Sequence, residues 1–172
     1  MPEAPTPFTP LEGGCACGKL RCRLEAPPMA VNACHCTYCQ RETGTAHATN
    51  YAIETENVTI TAGEGEMLLV DTPGASGRAQ KIARCGSCYI AIFSHYPNFG
   101  RHMRFVRTGT LDKYPEWLTP DMHIFTSTKL PWYAIPEGAR SVKEQYDVKE
   151  VWSKENLERL AKVKERVKSE GA

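Results

Sequence analysis

The sequence predicts a mainly β body of stacked antiparallel sheets, closed by a C-terminal α-helix. Three observations predict it. Short apolar runs recur from residue 19 to residue 126 with Gly, Pro, Asn or Asp between them, the pattern of many short strands joined by turns. Eight cysteines stand as three tight clusters and one outlier, which suits metal knuckles on hairpin loops. After Asp147 the apolar spacing lengthens from two to three or four residues, the period of a helix.

Residues 1–12 carry Pro2, Pro5, Pro7 and Pro10 and little to bury, so they are expected to form a loosely attached arm. The body, residues 13–146, starts at Gly13-Gly14. From Lys19 to Glu25 alternation is strict: Leu20, Cys22 and Leu24 face one way, and Lys19, Arg21, Arg23 and Glu25 the other. That is a half-buried strand, ended by Pro27-Pro28. A second short strand over 29–33 leads into Cys34. Residues 37–43 read as a helical turn stopped by Gly44. Strands follow over 46–53, 57–62 and 66–71, then a Pro/Gly/Ser loop at 71–77. Residues 79–84 and 89–95 flank Cys85 and Cys88 as the arms of a hairpin. Further strands are expected at 103–106 and 123–126.

The C-terminal segment, 147–172, reads as one helix over about 147–168. Leu157, Leu160, Val163 or Lys164, and Val167 form a narrow apolar stripe, with Val148 and Trp152 before it. Glu150/Lys154, Glu155/Arg159 and Glu158/Lys162 are i,i+4 pairs with the acid first, the favoured order, and Asp147-x-x-Glu150 can cap the start. The stripe can dock on the body, or it can join a partner or a second copy into a homo-oligomer.

Composition narrows the function. The length, 172 residues, fits one domain. The net charge of +1 gives no global field toward nucleic acid or an anionic membrane. Residues 148–172 carry seven Lys/Arg against five Glu, too weak a basic stripe for a dedicated duplex binder. No stretch approaches the roughly 18 apolar residues of a membrane span, and no signal peptide is visible in residues 1–11. A chain of this size needs no disulfide staples. Metal binding in a reducing compartment, cytoplasm or nucleus, is therefore expected over a disulfide framework.

Cysteines two or three residues apart are poor disulfide partners for each other but good chelating pairs, and soft thiolates select Zn²⁺ among common metals. Cys34, Cys36 and Cys39 make a C-x-C-x-x-C triad that one loop can wrap around an ion. Cys15, Cys17, Cys85 and Cys88 remain for a four-thiolate site that ties the chain start to a distant hairpin. Two Zn²⁺ per chain are expected. Cys22 shares a face with Leu20 and Leu24, which favours a small buried hydrophobe over a ligand. The triad is then short of a fourth ligand and open to solvent or substrate. His35, between two ligands, should point away from them; His123 precedes an apolar strand and suits a structural role as well as a site role. His47, His95 and His102 show no ligand spacing.

The ordered set Gly14-Cys15-x-Cys17-Gly18, Cys34-His35-Cys36-x-x-Cys39-x-Arg41-x-Thr43-Gly44, Cys85-x-x-Cys88 and His123-Ile124-Phe125 with Leu130-Pro131-Trp132 resembles the glutathione-dependent formaldehyde-activating enzyme family, which includes centromere protein V. The resemblance runs from about Gly13 to Pro136. It implies a β-tent fold with a structural zinc on Cys15, Cys17, Cys85 and Cys88. It also implies an exchangeable zinc on Cys34, Cys36 and Cys39, the division that spacing gives. The implied activity is a carbon–sulfur lyase type, joining glutathione and formaldehyde as S-(hydroxymethyl)glutathione, or the reverse. Tyr89 stands where family members usually carry Gly. Arg41, Thr43 and Gly44, which follow the triad in its motif, and His123, from the later motif, are the candidate substrate positions. Three thiolates make a zinc ion a poor Lewis acid, and Arg41 is the candidate for offsetting charge. The competing class is a non-catalytic zinc scaffold that binds a protein partner or chromatin.

Overall fold

The structure, a computed structural model, describes residues 4–170; Pro2 and the last two residues of the expected helical segment lie outside it. Ten strands form two sheets. The smaller has the order β1 (Leu11–Gly14), β2 (Arg21–Leu24), β5 (Val58–Ala62). The larger has seven strands. Its order is β10 (Met122–Ile124), β3 (Ala30–Cys34), β4 (Ala48–Glu54), β9 (Met103–Arg107), β8 (Ala91–His95), β7 (Gln80–Cys85), β6 (Met67–Thr72).

All pairs are antiparallel except β10 with β3, which is parallel. Asp121 sets that exception. Its carboxylate accepts from Val31 N at 2.7 Å and its own N–H donates to Val31 O at 2.7 Å. The pairing carries His123 alongside Ala33.

Period-2 alternation divides the large sheet's side chains between two layers. Tyr51, Ile53, Phe93 and Val106 bury one face against Leu20, Cys22, Leu24 and Val58 of the small sheet. Full burial of Leu20 and Leu24 contributes about 1.5–3 kcal/mol each. The Tyr51 hydroxyl, taken out of water with its ring, donates to Ala26 O at 2.6 Å. On the other face Ala52 and Met103 meet Leu160 and Val163 from the C-terminal segment. Ala48 on that face meets Cys34, Cys36 and Cys39.

Two expectations change. The arm ends sooner than residue 12, because Leu11–Gly14 pairs with β2 and Leu11 packs on the core. Phe8 also sets its ring edge-on to Trp117. The C-terminal segment is two helices, α2 (Val148–Val151) and α3 (Lys154–Glu170), with Trp152 extended between them. Trp152 leaves the helical path to donate its Nε1 to Tyr146 Oη at 2.9 Å, and Ser153 Oγ then accepts from Asn156 N at 3.2 Å. Asp147 caps α2 by accepting from Lys149 N.

Candidate metal centres

The first cluster joins two loops. Cys15 and Cys17 lie between β1 and β2, and Cys85 and Cys88 at the β7–β8 turn. All four sulfurs lie within 4.8 Å of one another. Cys15 Sγ is 3.4 Å from Cys17 Sγ, which is 3.7 Å from Cys85 Sγ. A tetrahedral ion with bonds of about 2.3 Å sets its sulfurs about 3.8 Å apart, so these thiols already stand close to that spacing. Backbone donors point at them: Leu20 N to Cys15 Sγ at 3.3 Å and Ser87 N to Cys85 Sγ at 3.4 Å. Against desolvation by burial, the Leu20 bond and then those of Cys17 and Cys85 draw Cys15 below the ordinary thiol range.

The turn closes through Tyr89, whose N–H donates to Cys85 O at 2.9 Å and whose φ is 60°. A left-handed tyrosine costs about 1–2 kcal/mol, and the thiol cluster and its turn hold it there.

The second cluster grows from a strand end and a helix start. Cys34 ends β3. Cys36 is the N-cap of α1 (Thr37–Thr43), its sulfur accepting from Cys39 N at 3.4 Å, and Cys39 is buried within α1. Gly44 ends α1 at φ 67°. The three sulfurs lie within 4.8 Å of one another, and among the described residues no fourth Cys, His, Asp or Glu donor joins them. Hydrogen bonds from Cys34 and then Cys39 hold Cys36 far below the ordinary thiol range, and backbone donors from Cys39 and Tyr38 add to the effect. Cys22 belongs to neither set. It is buried in the inter-sheet core, and desolvation pushes its thiol up to about 11.

His35 turns away from the triad. It is fully buried, stacked on His123, with Nε2 2.9 Å from His123 Nδ1. Its carbonyl is clamped by Gln40 Nε2 at 2.7 Å and Thr128 Oγ1 at 3.1 Å, which fixes the loop carrying the thiols. His47 joins this group, its ring 5.0 Å from His35 and its Nε2 3.0 Å from Tyr133 Oη. Burial, then the neighbouring His47 and His123, lowers His35 to about 4. Desolvation also lowers His47 and His123. Each shift favours the neutral imidazole.

A cavity of about 470 Å³ opens beyond Ala48 and Thr43, with none of the three cysteines in its lining; its volume is within the usual range for small-molecule sites. Ala48 lines it and packs on Cys34, Cys36 and Cys39. Thr43 lines it from the helix that bears Cys39, and His47 lines it from the strand side. Its charged walls are Glu42, Arg84 and Arg107. Glu42 accepts from Arg84 Nη2 at 2.9 Å and from Arg107 Nη2 at 3.3 Å. Arg107 also donates to Ser94 Oγ at 2.9 Å and to Asn50 Oδ1.

Of the residues the sequence singles out for substrate, Thr43 reaches this cavity. Arg41 is exposed on α1, Gly44 serves as the helix stop, and His123 is buried beside His35. Sequence reasoning missed His47, Tyr133, Glu42, Arg84 and Arg107. The one available signal was Arg84 standing directly before the Cys85–Cys88 pair.

A family model described as glutathione-dependent formaldehyde-activating enzyme matches residues 10–128, which takes in both thiol clusters and the β sandwich between them. The chain belongs to the glutathione-dependent formaldehyde-activating enzyme family. Relatives in that family include proteins from Halomonas elongata, 24% identical over 73% of this chain and 80% of its own, and Fusarium vanettenii, 27% identical over 75% and 73%. A third, from Talaromyces marneffei, is 23% identical over 77% and 70%. All three are described provisionally as glutathione-dependent formaldehyde-activating enzymes. A crystal structure of a Rhodobacter sphaeroides protein superimposes with a TM-score of 0.48 at 18% identity, covering 62% of this chain and 92% of that one. α2 and α3 lie beyond the segment the family model matches.

Proposed function

We propose that the protein is a zinc-dependent carbon–sulfur lyase that joins a thiol, glutathione in the first instance, to formaldehyde or a similar small aldehyde, and catalyses the reverse cleavage. One observation carries the proposal: three buried thiols lie together and, among the described residues, no fourth protein donor joins them, while Ala48, packed on them, separates them from a cavity large enough for a small thiol. A scaffold would have its second set closed by protein, as Cys15, Cys17, Cys85 and Cys88 close the first.

Cys15, Cys17, Cys85 and Cys88 would hold one zinc ion as a structural tie, and Cys34, Cys36 and Cys39 the other. Zinc in the triad supplies a lowered thiol pKa and orientation when bound. The protein's residues do the rest. Gln40 and Thr128 fix the thiol loop through His35 O. Phe125, Met122 and Ile124 pack against the triad and exclude water. His47, whose ring nitrogens face Tyr133 Oη and, at 3.3 Å, Thr49 Oγ1, lines the cavity, where the nitrogen that accepts from its hydroxyl partner can take the thiol's proton by giving up that bond. Sulfur adds to the aldehyde carbon, the carbonyl π bond opens, and the proton ends on the new hydroxyl oxygen.

Carbon-13 exchange spectroscopy of glutathione with labelled formaldehyde tests this directly. Zinc-loaded protein should accelerate interconversion of free formaldehyde and S-(hydroxymethyl)glutathione, and Cys36→Ser should remove the acceleration while remaining folded. No acceleration by the zinc-loaded protein would defeat the proposal.

A further inference from the structure

We propose that Arg84 is the carboxylate-recognising residue of this cavity, so that the protein selects thiols that carry a carboxylate over thiols that lack one. The inference deepens the thiol chemistry proposed above and rests on it for the identity of the ligand, but not for the anion subsite itself.

Local structure aims Arg84. The β7–β8 ladder shifts register between Ala83 and Arg84, and an irregularity of this kind redirects a side chain beside a site. The guanidinium is then pinned from two sides, donating Nη1 to Tyr89 O at 3.1 Å and Nη2 to Glu42 Oε1 at 2.9 Å. These bonds occupy two of its five N–H groups. No further acceptor engages Arg84 among the described residues, and its side chain keeps 24% exposure.

Charge and donor supply point the same way. Two guanidiniums and one carboxylate line the cavity, and no other acid does, which leaves one positive charge uncompensated. Arg107 cannot supply it to a ligand. It is 8% exposed and engaged by Glu42, Ser94 and Asn50. Five lining threonines are likewise committed to the chain: Thr43 to Cys39 O, Thr45 to His47 O, Thr49 to His47 Nδ1, Thr108 to Thr49 O and Thr110 to Arg107 O. Arg84 is the charged donor left facing the cavity. Three of its N–H groups, one on each terminal nitrogen and the Nε–H, are left without an acceptor, and charge-assisted bonds from such donors are what a carboxylate accepts best. Glutathione, with two carboxylates, meets this demand; cysteamine, with none, does not.

Calorimetry on the zinc-loaded protein tests the subsite without turnover, using S-methylglutathione and its dimethyl ester. Wild type should bind the diacid about tenfold or more tightly than the ester. Arg84→Gln should lose that preference by weakening diacid binding alone, and Arg84→Lys should restore part of it. Equal binding of diacid and ester by wild type, or no binding of the diacid at millimolar concentration, would overturn the proposal. So would an Arg84→Gln loss that falls equally on both ligands, which marks a purely structural arginine. If discrimination holds but the exchange experiment shows no acceleration, the carboxylate subsite stands and the lyase reading falls.

Discussion

At Tyr89 the backbone takes a left-handed turn that glycine adopts without strain. Tyr89→Gly should therefore leave stability unchanged or raise it by up to about 1 kcal/mol, the relieved strain being partly offset by a freer unfolded chain. Gly86, three residues earlier, is the opposite case. A Cβ there would collide with the Glu66 carbonyl oxygen, which also accepts from Gly86 N at 3.0 Å. Gly86→Ala should cost roughly 2 kcal/mol or more and loosen the four-thiol cluster; thermal melting with zinc analysis checks both variants. The imidazoles give a pH signature. Their folded pKa values are depressed, so the unfolded chain binds more protons below about pH 6.5. Stability from this group is present above that pH and is lost as pH falls toward about 4, the value for His35. His47→Gln should flatten the melting-temperature profile across this window, and an unchanged profile would remove His47 from the group. The thiol division was legible because chelating pairs are local in sequence. His47 and Arg84 were not, because strand register brings them to the cavity and no spacing encodes that.

At the scale of elements, the C-terminal helices show how a correct period can hide the partners. The stripe Leu160 and Val163 is buried on Met29, Ala52 and Met103, so α3 docks on its own chain. The i,i+4 ion pairs read from the sequence do not form among the described residues. Arg159 instead grips Glu54 in a fork, Nε to Oε1 at 2.6 Å and Nη2 to Oε2 at 2.5 Å, and also reaches Pro27 O at 3.1 Å. Arg166 pairs with Glu56, and Glu170 with Arg101 and His102. A buried carboxylate on the body, Glu54, outcompetes a solvated one on the helix, and sequence spacing does not reveal its approach. Burial alone would raise Glu54; Arg159's hydrogen bonds outweigh it and hold the carboxyl below its usual range. Arg159→Ala strands that carboxylate and should cost roughly 3 kcal/mol. Leu160→Ala should cost about 2–4 kcal/mol, and exposed Lys162→Ala almost nothing. Denaturant midpoints of the three variants check the order. Similar small losses for all three would mean that α3 is not docked.

For the whole molecule, two sheets and a helical layer put the thiol clusters in different settings. The four-thiol set ties loops at the sandwich edge, with Cys17 exposed, while the triad is buried under Met122, Ile124 and Phe125. The mainly β architecture was legible from alternation such as Leu20, Cys22, Leu24. The parallel β10–β3 pair was not, because it depends on Asp121 bridging to Val31 from 90 residues away. Removing 148–172 would uncover Met29, Ala52 and Met103 and take Val151 off the triad's apolar surround, so the helices support the site although the family match ends before them. Under the proposed function the buried triad accepts a thiol as its fourth partner. Titrating glutathione into zinc-loaded protein near pH 7, in buffers of different ionisation enthalpy, tests it most directly. Binding should release about one proton per thiol, an effect abolished by Cys39→Ser and retained by Cys22→Ala. No binding by any small thiol with the triad zinc in place, or binding that survives Cys39→Ser, would contradict it.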